Sequence, residues 1–216
     1  GAILQEINMY EDMPMRRVQE YFKTLLYGDT PLGWDIAGPK ENIKAFMRKD
    51  FVKFLQNGYT ADNIVVGIAG NFDVKLAKKE IAKLFGSVAK TKKAVAKKAA
   101  DKQQEPQLFV KEKKTDQTQF VVGCRAYHAT HKDRAALAVL AGVLGGGMSS
   151  RMFIEVRERR GLAYRVGTGV DVFVDAGYLE THCGVEHENL EKALQVVLDE
   201  YKKICAEPVG KDELRK

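Results

Sequence analysis

Apolar residues at Ile3, Ile7 and Tyr10, and again at Val18, Phe22 and Leu25, recur at the helical period with Pro14 between them. Proline has no N–H to give and its ring clashes with the preceding turn, so a helix kinked or divided there is predicted. Asp29-Thr30-Pro31-Leu32-Gly33 is turn chemistry, and a second helical stretch is expected from about Lys40 to Leu55. Residues 63–69 (NIVVGIA) form a short, apolar, β-branched run ending at Gly70, which predicts a buried strand. Val74, Ala77, Ile81, Leu84 and Phe85 then share one face of an amphipathic helix that Gly86 should stop.

Further along, residues 107–110 and 119–124 have strand character. Arg134 to Leu144 is nearly all apolar, a core helix halted by Gly145, Gly146 and Gly147. A short helix is expected from Ser150, as N-cap, to Arg160, with Gly161 at the position after its end. Tyr164, Val166, Thr168, Val170, Val172 and Val174 alternate with smaller or more polar residues, the mark of a strand with one packed face. Asp175-Ala176-Gly177 turns it into a second strand over Tyr178–Cys183, a hairpin. Leu190, Leu194, Val197, Tyr201 and Ile204 stripe a last helix. Antiparallel strands with helices packed on one face make an α+β sandwich, and a strand, a turn and an amphipathic helix recur in both halves without a fixed-period repeat.

Composition narrows this picture. With 45% hydrophobic and 30% charged residues among 216, the chain can build a core, and global disorder is excluded. No run approaches the roughly 18 apolar residues of a membrane span. The net charge of +6 is carried entirely by residues 87–114, where nine lysines meet three acids. That stretch is Lys/Ala-rich over 89–100 and offers no aromatic ring for a base to stack on, so it reads as a solvated linker rather than a nucleic-acid arm. It divides the chain into 1–88, a linker at 89–105, and 106–216. Cys124, Cys183 and Cys205 are odd in number and share no CxxC spacing, which points to reduced thiols and a cytoplasmic setting. Gly1 runs straight into helical periodicity with no initiator Met or leader, so the chain reads as an excerpt.

The candidate chemistry is sparse. Glu6 lies on or beside the apolar stripe of the first helix, where a carboxylate needs solvent, a salt bridge or a metal. His182 and His187 are five apart and run from a strand into a turn, not the four-residue helical spacing that converges on zinc; they read as structural or surface histidines. His128 and His131 read as loop residues. The glycines 145–147 form no phosphate-binding pattern; they are either a helix break or a bare lip over a cleft. Arg157 and Tyr164 bracket Gly161. They are either a solvated helix residue and an inward strand aromatic, or a pair able to grip a peptide carbonyl and stabilise an oxyanion.

Read together, LGGGMSSRMFIEVRERRGLAY (144–164), GAILQEI (1–7), Pro31–Gly33 with GPKENI (38–43), and YTADNIVVGIAGN (59–71) resemble the insulinase/pitrilysin superfamily of zinc peptidases, most closely bacterial relatives of the mitochondrial processing peptidase. The resemblance implies two processing-peptidase-like sandwich domains. Residues 1–88 would be the C-terminal part of a zinc-bearing first domain, and 106–216 the first part of a substrate-contacting second domain. It implies zinc as cofactor, with Glu6 as the third ligand and two histidines and a catalytic glutamate supplied by an HxxEH motif. It implies that Arg157 and Tyr164 contact an extended peptide substrate, with Gly145, Gly146 and Gly147 lining the cleft, and that the protein pairs as a homodimer or with a related subunit. No HxxEH occurs in these 216 residues, so hydrolysis by this chain alone is not expected. The alternative is a noncatalytic partner or assembly subunit of the same family.

Overall fold

The computed structural model describes residues 1–90, 98–99 and 103–215. In chain order the helices are α1 (Ala2–Glu11), α2 (Pro14–Tyr27), α3 (Lys40–Ala45), α4 (Arg48–Gly58) and α5 (Val74–Phe85), followed by strand β1 (Thr118–Arg125) and helix α6 (Arg134–Gly145). A π-helical turn over Phe153–Glu158 leads to strands β2 (Ala163–Val172) and β3 (Gly177–Val185), and helix α7 (Leu190–Ala206) follows. Pro14 divides α1 from α2 as predicted, taking the first helical position where its missing N–H costs nothing.

The chain forms two compact units, Gly1–Ala37 with Lys98–Lys216, and Gly38–Lys97. In the first of these the apolar face of α2 packs on the β-sheet. Most of the expected linker, residues 91–97 and 100–102, lies outside the described residues.

In the first unit three antiparallel strands order as β1-β3-β2. The β2–β3 hairpin closes where the Phe173 N–H donates to the Ala176 carbonyl at 2.8 Å. One sheet face packs on α6, α7 and the π-helical turn around Leu144, Met152, Val156 and Val197, all with no exposed surface. The other face is covered by α2: Phe22, Leu26 and Tyr27 pack on Tyr178, with the Phe22 and Tyr178 rings edge-on at 5.3 Å. The expected α+β sandwich is therefore present, with α2 as a second helical layer beyond the one predicted. Gly123 makes that layer possible, since a Cβ there would sit 2.7 Å from the Phe22 ring.

The second unit is helical. The single helix expected from Lys40 to Leu55 is broken at Phe46 and Met47, whose backbones are extended; Asp50 restarts it by accepting from the Met47 N–H at 2.9 Å. Asp73 caps α5 with hydrogen bonds from the Lys75 and Leu76 N–H groups. The strand predicted at 63–69 does not form: after a 3-10 turn at Ala61–Asn63 the backbone is irregular, and Val65 is 96% exposed. Residues 107–110 are likewise irregular, with Leu108 86% exposed. A strand is stable only when its N–H and C=O groups find a neighbour, and neither segment is paired in a sheet among the described residues. No described helix is long and apolar enough to cross a membrane.

Candidate functional site

Two local devices build the site at the N-terminal end of β2. The helix expected over 150–160 tightens differently from prediction. Ser150 does not cap it; its hydroxyl donates to the Gly147 carbonyl at 2.6 Å, and the following turn is π-helical. Gly161 ends it at φ +60°, a left-handed backbone that favours glycine, as expected. The β2–β3 ladder then slips: Ala163 pairs with Val185 and Arg165 with Gly184, so Tyr164 is a bulge residue with no partner of its own. A bulge twists the strand and re-aims its side chains. Tyr164, 75% exposed, and Arg165 both come out of the core.

The structure brings Arg157 and Tyr164 together. The Arg157 guanidinium lies 4.8 Å over the Tyr164 ring and 4.7 Å over Phe153, and its Nη1 donates to the Tyr164 carbonyl at 3.1 Å. Both line an open groove of about 510 Å³, together with Arg16 and Gln19 of α2, Arg165 of β2 and His182 of β3. Behind its wall Glu180 is 7% exposed; its Oε1 meets His182 Nδ1 at 3.2 Å and accepts from Gln19 Nε2 at 3.5 Å, while Oε2 is buried without a partner.

Glu6 is exposed on α1, and Ile7 beside it, 7% exposed, takes the buried position. The Tyr10 hydroxyl donates to Glu6 Oε1 at 2.8 Å, and that bond, foremost, holds the Tyr10 phenol above its ordinary pKa. Arg16 in turn lies 4.2 Å over the Tyr10 ring. A chain of contacts, Glu6 to Tyr10 to Arg16, thus leads to the groove. Among the described residues no three His, Cys, Asp or Glu side chains come together as a metal site. One exposed carboxylate is not a zinc centre, so the residues of this chain do not by themselves fit the ion that the resemblance implies.

The glycine run is partly explained by packing. A Cβ on Gly145 would lie 2.2 Å from the Thr168 nitrogen and one on Gly146 2.8 Å from the Gly142 Cα, whereas Gly147 is open. His187 is structural, its Nδ1 bonded to the Thr118 hydroxyl and its Nε2 to the Thr115 carbonyl. His131 stacks flat on Tyr127 at 3.9 Å, and His128 meets it edge-on. Sequence reasoning missed Arg16, Arg165, Gln19 and Glu180. The alternation of Tyr178, Glu180 and His182 along one strand face carried a signal for Glu180, but nothing in the sequence marks the bulge that turns Arg165 outward.

The sheet covered by helices on both faces, with the π-helical turn and the bulge at Tyr164, defines an α+β sandwich. Residues 45–216 match the family described as Peptidase M16 inactive domain, and the chain belongs to that family. It is 34% identical over 216 residues to an uncharacterized zinc protease of Rickettsia bellii, covering 100% of this chain and 52% of that protein. It is 31% identical over 217 residues to one of Mycobacterium leprae, covering 99% and 49%. The chain spans about half the length of the curated relatives it matches. In fold it is similar to a peptidase M16 inactive domain from Pseudomonas fluorescens (TM-score 0.84, 22% identity, 98% of this chain and 52% of that one). It is also similar in fold to a chain of Complex III2 from Candida albicans (TM-score 0.79, 12% identity, 99% and 52%).

Proposed function

We propose that this chain is the substrate-contacting part of a zinc metallopeptidase that hydrolyses bonds in extended peptides. The observation that carries the reading is the stacked Arg157–Tyr164 pair in an open groove beside an edge strand. Among the described residues β2 pairs only with β3, so an extended peptide can add along it through backbone hydrogen bonds that demand little of its sequence. Tyr164 then donates its phenol proton to a peptide carbonyl oxygen, a bond that strengthens as negative charge develops there. Arg157 holds the neighbouring substrate backbone or a carboxylate. Gly145, Gly146 and Gly147 are not among the residues that line this groove; in the same reading they line the cleft of the intact protein, and Gly147 has open space where a Cβ would stand.

In the same reading Glu6 is one ligand of a zinc ion whose other ligands come from outside these residues, so no step is assigned to the ion here. Residues 1–88 are the C-terminal part of a larger domain, 89–105 a linker and 106–216 the start of the second domain. The exposure of Phe54, Val65 and Leu84, core-like residues without cover among the described residues, supports the first of these assignments. The partner is a second copy or a related subunit.

The test is the kinetics of the intact protein on an unstructured peptide. Tyr164→Phe is expected to lower kcat by about a hundredfold with little change in KM. An unchanged kcat removes Tyr164 from the reaction. The family description as an inactive domain favours a second reading, a noncatalytic subunit that lends this groove to a zinc-bearing partner. Hydrolysis that arises only when such a partner is added selects it.

A further inference from the structure

The groove holds two arginines that the peptidase reading leaves unused. Arg16 enters from the first turn of α2, and Arg165 from the residue after the bulge. In the same unit Arg17, Arg151, Arg159 and Arg160 are each answered by a carboxylate at 2.5–2.7 Å. The groove arginines are not. Among the described residues Arg16 and Arg165 make no ion pair, and the nearest carboxylate to Arg157 is Glu158 at 3.9 Å. Among the described residues no acidic side chain lines the groove, and Glu180, behind the wall, is engaged by His182 and Gln19 rather than by an arginine.

The way the guanidinium groups are held matters as much as their charge. The Arg16 guanidinium lies 4.2 Å over the Tyr10 ring and that of Arg157 lies over Tyr164 and Phe153 with its Nη1 on the Tyr164 carbonyl, while Arg165 Nη1 donates to Met15 Sδ at 3.0 Å. A guanidinium carries five N–H donors, and with one used on Arg157 and one on Arg165 each of the three keeps further donors for a ligand. Three cations share this concave surface, and among the described residues only Arg157 has a carboxylate neighbour, Glu158 at 3.9 Å, so they repel one another and focus a positive potential on the space between them. A planar carboxylate entering that space satisfies the free donors by paired, charge-assisted hydrogen bonds and relieves the repulsion.

We propose that this groove reads an acidic side chain, Asp or Glu, in the bound peptide, with Arg16 and Arg165 as the residues that set the preference. The inference rests on the peptide-groove reading above and adds its substrate class.

Fluorescence anisotropy on the intact protein tests it, with three labelled eight-residue peptides that differ only in one central Glu, Gln or Lys. The Glu peptide is expected to bind about tenfold tighter than the Gln peptide at low salt, and the Lys peptide weaker than both. Added salt should shrink the difference. In the Arg16→Gln/Arg165→Gln variant the Glu:Gln affinity ratio should fall to about one. Arg16→Lys/Arg165→Lys, which keeps charge but loses the fork, should give an intermediate ratio. Thermal unfolding shows whether each variant is folded. Equal affinity for the Glu and Gln peptides, or a preference that survives the double Gln variant, overturns the proposal while leaving a peptide groove in place. Failure to bind any of the three overturns both readings. A Glu preference in a protein that hydrolyses nothing upholds this inference and removes only the peptidase step.

Discussion

At Tyr164 the ladder between β2 and β3 skips one residue, and the ring that simple alternation would turn toward the core stands in solvent under the Arg157 guanidinium. Close packing acts as locally at Gly145, where α6 meets β2 so tightly that any side chain would overlap Thr168. Gly145→Ala is expected to destabilise the fold by about 1–3 kcal/mol, the range for forcing extra volume into a packed site. Urea denaturation measures it, and unchanged stability would show that α6 can shift off β2 at no cost. Arg157, Tyr164 and the glycine run were legible as candidates because their types and order resemble a family. That Gly145 serves packing was not legible, since close approach between distant backbones leaves no mark on the residues around it.

Elements differ in how far the sequence declared them. α5, α6 and α7 follow their apolar stripes, because a helix satisfies its own backbone and needs only one face covered. The runs at 63–69 and 107–110 have strand composition but no strand, because a strand is completed by its neighbour. The π-helical turn is held by charge as well as by packing. Glu155 accepts from Arg159 and from Arg160 at 2.5 Å, and the Arg160 bond, foremost, holds its carboxyl below the ordinary carboxylate value. A depressed carboxyl contributes stability that is fully present above its ordinary value and lost as pH falls through its lowered one. The stability difference between pH 7 and pH 3 should therefore be smaller in Glu155→Gln than in the parent, measured by urea denaturation at both values. Equal differences would show that the two arginines leave the carboxyl unperturbed.

For the whole molecule, the question is whether Glu6 belongs to a metal site. Its contact chain through Tyr10 to Arg16 ties α1 to the groove without supplying a second ligand. Glu6→Gln, which keeps an acceptor for the Tyr10 hydroxyl, is expected to reduce bound zinc in the intact protein by tenfold or more, read by elemental analysis after gel filtration. Unchanged zinc content excludes Glu6 from the ligand set. The sequence by itself determined helices α1, α2 and α5 to α7, the β2–β3 hairpin, the α+β class and the family, because periodicity and short motifs are properties of neighbours along the chain. Only the tertiary structure decided that α2 covers the second sheet face and that, among the described residues, two runs of strand composition stay unpaired and Arg16 and Arg165 line one groove without an ion pair. Each of these depends on which distant segments meet, and in a folded chain that is set by the burial of whole faces rather than by any residue's own preference.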